Sequence, residues 1–194
     1  SRASVGVRGI KLSGDDGVVS MSIIRHFKAS SDERVAYLKM RRAVAGLADD
    51  AELPDDEDTN ANASISPERY AEMSASENLI LTITANGAGK LSSSHDYPLR
   101  GRGGMGVSAM DKAMRGGRLL ACFPVELDDQ IMLATSNGQS IRVPVEGISF
   151  RSRSAGGVRV FNTAKGEEVV SVAWIADRGD QEEAIEGEPE AGES

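Results

Sequence analysis

Apolar and polar positions alternate along much of the chain with the two-residue period of a half-buried strand. Ser140-Ile141-Arg142-Val143-Pro144-Val145 shows the alternation plainly. Leu79-Ile80-Leu81-Thr82-Ile83-Thr84 is a β-branched, apolar run followed by Asn86-Gly87, a hairpin-turn dipeptide. Ile131-Met132-Leu133-Ala134-Thr135 with Asn137-Gly138 repeats that arrangement, and Val169-Val170-Ser171-Val172-Ala173-Trp174-Ile175 predicts a further strand. One region reads differently. Ser30 and Glu33 have capping-box spacing ahead of Val35, Leu38, Met40, Val44 and Leu47, which predicts a helix. Ser66-Pro67-Glu68 predicts an N-cap and a first-turn proline for a short second helix. Between them the acidic, turn-rich residues 49–58 are expected to be disordered.

The strand pattern is periodic on a longer scale. Gly6-Val7-Arg8 recurs as Gly157-Val158-Arg159, and Val18-Val19-Ser20 as Val169-Val170-Ser171, both 151 positions apart. A weaker copy starts at Gly106-Val107. Thr84-Ala85-Asn86-Gly87 recurs 51 positions later as Thr135-Ser136-Asn137-Gly138. A unit of about 50 residues with roughly four short strands and glycine-rich corners is the signature of propeller-like blades. An irregular sandwich of hairpins is the alternative. The first unit is about 50 residues too long, because residues 25–78 interrupt it.

Composition enters through that boundary. The chain has 194 residues and a formal net charge of −8, which taken whole argues against a polyanionic partner. The acidity is confined to two blocks. Residues 25–78 carry 7 basic and 12 acidic side chains, and residues 177–194 carry Arg178 against 8 acids. Residues 1–24 and 79–176 together sum to +4. The chain thus divides into an all-β repeat scaffold, an acidic insert with two helices, and an acidic tail expected to be unfolded. The tail is expected either to compete with a polyanion for the scaffold or only to solubilise.

Few catalytic chemistries fit. Cys122, flanked by apolar residues, is expected to be a buried structural thiol, and a single cysteine suits a reducing compartment. His26 and His95 have no metal-ligand spacing, so neither a catalytic nor a metal set is assigned. Asp128-Asp129 and Asp15-Asp16 are expected to be solvated turn residues. No apolar stretch has the length of a membrane span and no signal peptide is expected. The chain starts without Met, at Ser1, and reads as a fragment. Gly101-Arg102-Gly103-Gly104-Met105-Gly106 lacks the Lys-Ser/Thr of a nucleotide loop. Its glycines allow close backbone approach and its arginines suit phosphate. With Arg100 and Arg102 here, Arg151, Arg153 and Arg159 at the next corner, and Arg2 and Arg8 at the first, a basic rim for non-specific phosphate contact is expected.

These residues resemble a known family. Val5-Gly6-Val7-Arg8-Gly9-Ile10, residues 79–90, Tyr97-Pro98 with Arg100-Gly101-Arg102-Gly103-Gly104-Met105-Gly106-Val107, Asp129-Gln130-Ile131-Met132-Leu133-Ala134-Thr135, Gly138-Gln139-Ser140-Ile141-Arg142 and Gly157-Val158-Arg159-Val160 are similar to the C-terminal DNA-wrapping domain of DNA gyrase A. The similarity covers residues 1–24 and 79–176, and the insert resembles those of alphaproteobacterial members.

The resemblance implies a β-pinwheel, a propeller relative usually of six blades, of which this chain holds about two and a half. It implies a domain that wraps double-stranded DNA, with Arg8, Lys90, Arg100, Arg102, Arg142, Arg151, Arg153 and Arg159 as DNA contacts. In the complete A2B2 topoisomerase, gyrase B and a second copy of gyrase A are the partners. ATP and Mg2+ act in gyrase B and the cleavage core, with no cofactor in this chain, and the setting is the cytoplasm and the chromosome. Residues 99–106 echo the family's Gln-Arg-Arg-Gly-Gly-basic-Gly box with Met105 at the basic position, a degenerate copy in a later blade. The family's catalytic tyrosine lies in another part of that protein, so Tyr37, Tyr70 and Tyr97 are not assigned that role. The alternatives are the matching domain of topoisomerase IV, or a propeller-type scaffold that binds proteins. For the scaffold, 8 aromatics offer few exposed anchors.

Overall fold

The computed structural model describes residues 2–46, 62–111 and 117–175. The acidic stretch 49–58, Leu47 and the tail 177–194 lie outside the described residues. In chain order the elements are α1 (Ser31–Val44), α2 (Pro67–Ala75), β1 (Leu79–Thr84), β2 (Ala88–Ser93), β3 (Leu119–Val125), β4 (Gln130–Thr135), β5 (Ser140–Pro144), β6 (Val158–Arg159) and β7 (Val169–Ile175). Short 3-10 turns follow β2 at Ser94–Asp96 and β5 at Val145–Gly147.

The strands build two antiparallel sheets. The first sheet has the order β3-β1-β2-β6, and the second has the order β5-β4-β7. The repeat is visible as register. Leu81 pairs with Leu91 in the first sheet, and Met132 with Arg142 in the second, each residue 51 positions after its counterpart. Both hairpins turn in the same way: Gly87 N donates to Thr84 O at 3.0 Å, and Gly138 N to Thr135 O at 3.0 Å. The glycine, not the asparagine, takes the positive φ (76° and 81°), so the turn type differs from the tight two-residue form that Asn-Gly favours. At Gly87 a Cβ would lie 2.3 Å from the Phe161 carbonyl oxygen, so glycine is demanded by packing as well.

The first sheet is completed by the following unit. β6 pairs with Ala88 and Gly89, and Leu91 exchanges backbone bonds with the segment after the second 3-10 turn (Leu91 N to Ser149 O, 3.0 Å; Arg151 N to Leu91 O, 2.8 Å). The sheets share one core of Leu81, Ile83, Leu91, Ile131, Leu133, Val145 and Val169, with Phe161 at its edge.

Residues 2–24 differ from the strand pattern expected of them. They form no strand, and Val18, Val19, Met21 and Ile23 are exposed. The copies of 18–24 explain this: β3 pairs with β1 and β7 with β4, each partner some 40 residues earlier in the chain. Among the described residues no strand pairs with 18–24, and a strand without a neighbour can neither complete its ladder nor bury its apolar face.

The insert folds as its caps predict. Ser30 Oγ accepts from Glu33 N while Glu33 Oε2 accepts from Ser30 N at 2.8 Å, a complete capping box. That bond and Arg69 hold the Glu33 carboxyl below the usual carboxylate range. Ser66 caps α2, with Pro67 in its first turn. Val35 and Leu38 are buried as the periodicity requires, Met40 is half-buried, and Val44 is exposed. The helices join through Tyr37, Leu38 and Met73, with Tyr37 stacked on Tyr70 at 5.1 Å. They join the blade through His95, whose ring meets Tyr37 edge-on at 4.9 Å and Phe27 at 5.7 Å. Arg41 lies 3.7 Å over the Phe150 ring and pairs with Glu77 at 2.8 Å.

Candidate nucleic-acid interface

The expected DNA contacts fall into two groups. Arg8, Arg100, Arg102, Arg142, Arg151 and Arg159 are exposed. Arg142 stands on β5 opposite Met132, and Arg159 on β6, with its Nη1 donating to Asn162 Oδ1 at 3.3 Å. Arg100 and Arg102 stand on the glycine-rich loop after the first 3-10 turn. That loop approaches backbone closely, as its glycines permit, and the backbone it meets is the chain's own first unit. Gly103 N donates to Gly9 O at 2.9 Å, and Lys11 N to Gly104 O at 2.8 Å. Gly103 and Gly106 both adopt positive φ, which L side chains rarely take. Arg8 is thereby brought beside the loop that carries Arg102.

Lys90 and Arg153 correct the expectation. Both are buried, Lys90 completely, and their donors are engaged within the protein. Lys90 Nζ donates to the carbonyls of Ser152, Arg153 and Ala155 at 2.6–2.7 Å. Burial lowers its ammonium to about 8, opposed by Asp96, yet three carbonyl acceptors call for the charged form with its three donors. Arg153 donates from Nε to Asp96 O at 2.9 Å and from Nη1 to Ser108 O at 2.5 Å, while its backbone N–H donates to Asp96 Oδ2 at 2.6 Å. Burial raises the Asp96 carboxyl, and these bonds oppose the rise. The two cations therefore latch the corner of one unit onto the sheet of the previous one. The signal in the sequence was weak: Lys90 sits mid-strand, between Gly89 and Leu91, where a surface lysine and a buried one read alike.

Asp129 is a second correction. It is buried and structural rather than solvated: Oδ2 accepts from Trp174 Nε1 and from Glu126 N, both at 2.7 Å. Asp128, Asp15 and Asp16 are exposed as expected. Cys122 is partly buried, near Thr82 Oγ1 at 3.9 Å, and burial pushes its thiol up, so it is not activated as a nucleophile. Among the described residues no group of His, Cys, Asp or Glu could hold a metal ion, and no helix is long and apolar enough to cross a membrane.

A family model described as "DNA gyrase C-terminal domain, beta-propeller" matches residues 1–25, 78–126 and 129–173. The chain belongs to the DNA gyrase C-terminal domain family. The match omits the stretch that holds both helices, and it includes every exposed arginine above. A DNA gyrase A from Granulibacter bethesdensis is 40% identical over 95% of this chain, and one from Rickettsia bellii is 38% identical over 100% of it. The chain spans 21% of the length of each of these relatives. A solved structure described as "Structure of DNA gyrase A C-terminal domain" superposes with a TM-score of 0.48 at 23% identity, covering 52% of this chain and 34% of that one. In this gyrase-family domain the fold is of the β-propeller or pinwheel class.

Proposed function

We propose that this chain is a DNA-wrapping module of DNA gyrase A, which bends a duplex around its rim. The observation that carries the reading is the set of exposed guanidiniums on the repeat units, Arg8, Arg100, Arg102, Arg142, Arg151 and Arg159, with Arg100 and Arg151 at equivalent places 51 positions apart and Arg8 and Arg159 at equivalent places 151 apart. Guanidiniums so placed suit phosphate oxygens, and no base-reading element accompanies them among the described residues, so the contact is with backbone rather than sequence. Bending a duplex costs several kcal/mol by elastic estimates, and many phosphate contacts must offset that cost. The chemistry of strand passage belongs to other parts of the parent enzyme. There a second copy of gyrase A and two of gyrase B, with ATP and Mg2+, complete an A2B2 assembly that acts on the chromosome in the cytoplasm. This segment supplies geometry and charge only.

Filter binding of a duplex over a salt series tests the proposal. Affinity should fall steeply with salt, and replacing Arg100, Arg102 and Arg151 by Gln should reduce the slope by about 1 per residue. Binding that ignores salt, or that survives those replacements unchanged, would sink it.

A further inference from the structure

The insert carries its charge unevenly. Residues 25–46 hold six basic side chains against Asp32 and Glu33, whereas residues 47–78 hold Arg69 alone against ten acidic ones. The basic half is the part that meets the blade. There a cleft of about 230 Å³ opens between the segment ahead of α1, the first 3-10 turn and the arginine-glycine loop. Arg25 and His26 line it from the segment, Arg34 from the first turn of α1, Ser94 from the 3-10 turn, and Arg100 from the loop. No acidic side chain lines it.

Other arginines of the insert show what is unusual here. Arg41 pairs with Glu77, and Arg69 pairs with Glu33 and Glu72. Arg34 is partly buried, yet neither it nor Arg25 has a carboxylate within ion-pair distance among the described residues. Guanidiniums gathered around a cleft that no carboxylate lines repel one another, and an oxyanion between them relieves that repulsion. Burial lowers the pKa of His95, on the same wall, opposed by the Met73 carbonyl and Glu77, with a smaller lowering contribution from Arg34.

We propose that the insert adds a phosphate cleft to the DNA-contacting surface, with Arg25, Arg34 and Arg100 holding a stretch of duplex backbone. The proposal rests on the DNA-binding reading above and extends it to the insert. A duplex suits the cleft better than a small free anion. The guanidiniums come from three separate segments, and Arg102 continues the basic line along the same loop as Arg100.

Fluorescence anisotropy of a labelled duplex with the 194-residue chain, over a salt series, tests it. Arg25→Gln with Arg34→Gln should reduce the slope of log affinity against log salt by about 2, with melting unchanged. Leu99→Arg, at an exposed leucine on the cleft wall (78% exposed), should steepen it by about 1 and decides the matter if the double variant unfolds. Unchanged slopes in both variants, with tight wild-type binding, overturn the cleft and leave the module's DNA binding intact. A wild-type chain that binds no duplex even at low salt overturns both. Millimolar inorganic phosphate that shifts the Arg34 NMR signal while the slopes stay unchanged marks a small-anion site, and also overturns the proposal.

Discussion

The two sheets are copies of one strand pattern, and they bury it differently. In β1 every residue from Ile80 to Thr84 is buried. In β4 burial alternates: Ile131, Leu133 and Thr135 are inside, and Met132 is exposed. Equivalent positions on the next strand even invert the usual order of hydrophobicity. Lys90 is 0% exposed, while Ile141, at the same register position, is 39% exposed. Leu91 is buried and Arg142 is exposed. The physical reason is the neighbour. Leu81, Ile83 and Leu91 face the second sheet, and Ile131 and Leu133 answer from that sheet. The opposite face of the first sheet, with Thr82, Lys90 and Ser92, is closed by the corner of the following unit and by Tyr97, whose hydroxyl lies 3.1 Å from Ser92 Oγ. No described residues cover the Met132 and Arg142 face of the second sheet in that way. A covered polar face is stable only when its donors and acceptors are matched, and in the first sheet they are.

Removing the match should break the comparison most strongly. Lys90→Met leaves the carbonyls of Ser152, Arg153 and Ala155 without their shared donor and should cost about 3 kcal/mol or more in urea unfolding. Ile141→Met should cost under about 1.5 kcal/mol. Equal losses at the two positions would refute the distinction between the sheets. The turn glycines give the next effect. Gly87→Ala meets the Phe161 carbonyl as well as an unfavourable φ and should cost about 2–3 kcal/mol. Gly138→Ala meets nothing within 4 Å, so only the backbone strain of about 1 kcal/mol remains.

A smaller effect concerns the helices packed beside the first sheet. Ser30→Ala removes the cap of α1 and should cost about 1 kcal/mol, read as faster amide exchange in the first turn of α1. The smallest is a pH effect confined to the same junction. Burial holds His95 below 6.5, reinforced by Arg34 and opposed by the Met73 carbonyl and Glu77. The folded state therefore binds this proton less readily than the unfolded chain. Stability is full above pH 6.5 and declines as pH falls below it. His95→Gln should flatten that decline; an unaltered pH profile would remove His95 as its cause. The second sheet has Glu146 at the equivalent place, so no matching histidine effect arises there.

Several features were legible before any coordinates, because they are local. Strand periodicity located β1, β4, β5 and β7; the Asn-Gly pairs located both hairpin turns; Ser30, Glu33, Ser66 and Pro67 located both helix starts. Of the eight residues expected to contact DNA, Arg8, Arg100, Arg102, Arg142, Arg151 and Arg159 are exposed, as such a contact requires, and Lys90 and Arg153 are buried. The misses share one cause. Lys90, Arg153 and Asp129 carry charges that composition assigns to the surface, and each is covered by chain 45 or more residues away. Val18 and Ile23 read as strand residues, and they lack the neighbour that their copies have in β3 and β7.

By itself the sequence determined the repeat, its turns, the capped helices of the insert and the family, since each depends on spacing within a few residues or on recurrence along the chain. Tertiary structure alone decided which copy of a position faces water. Burial depends on what packs above a strand, and that cover comes from residues a blade away, whose arrival no local pattern records.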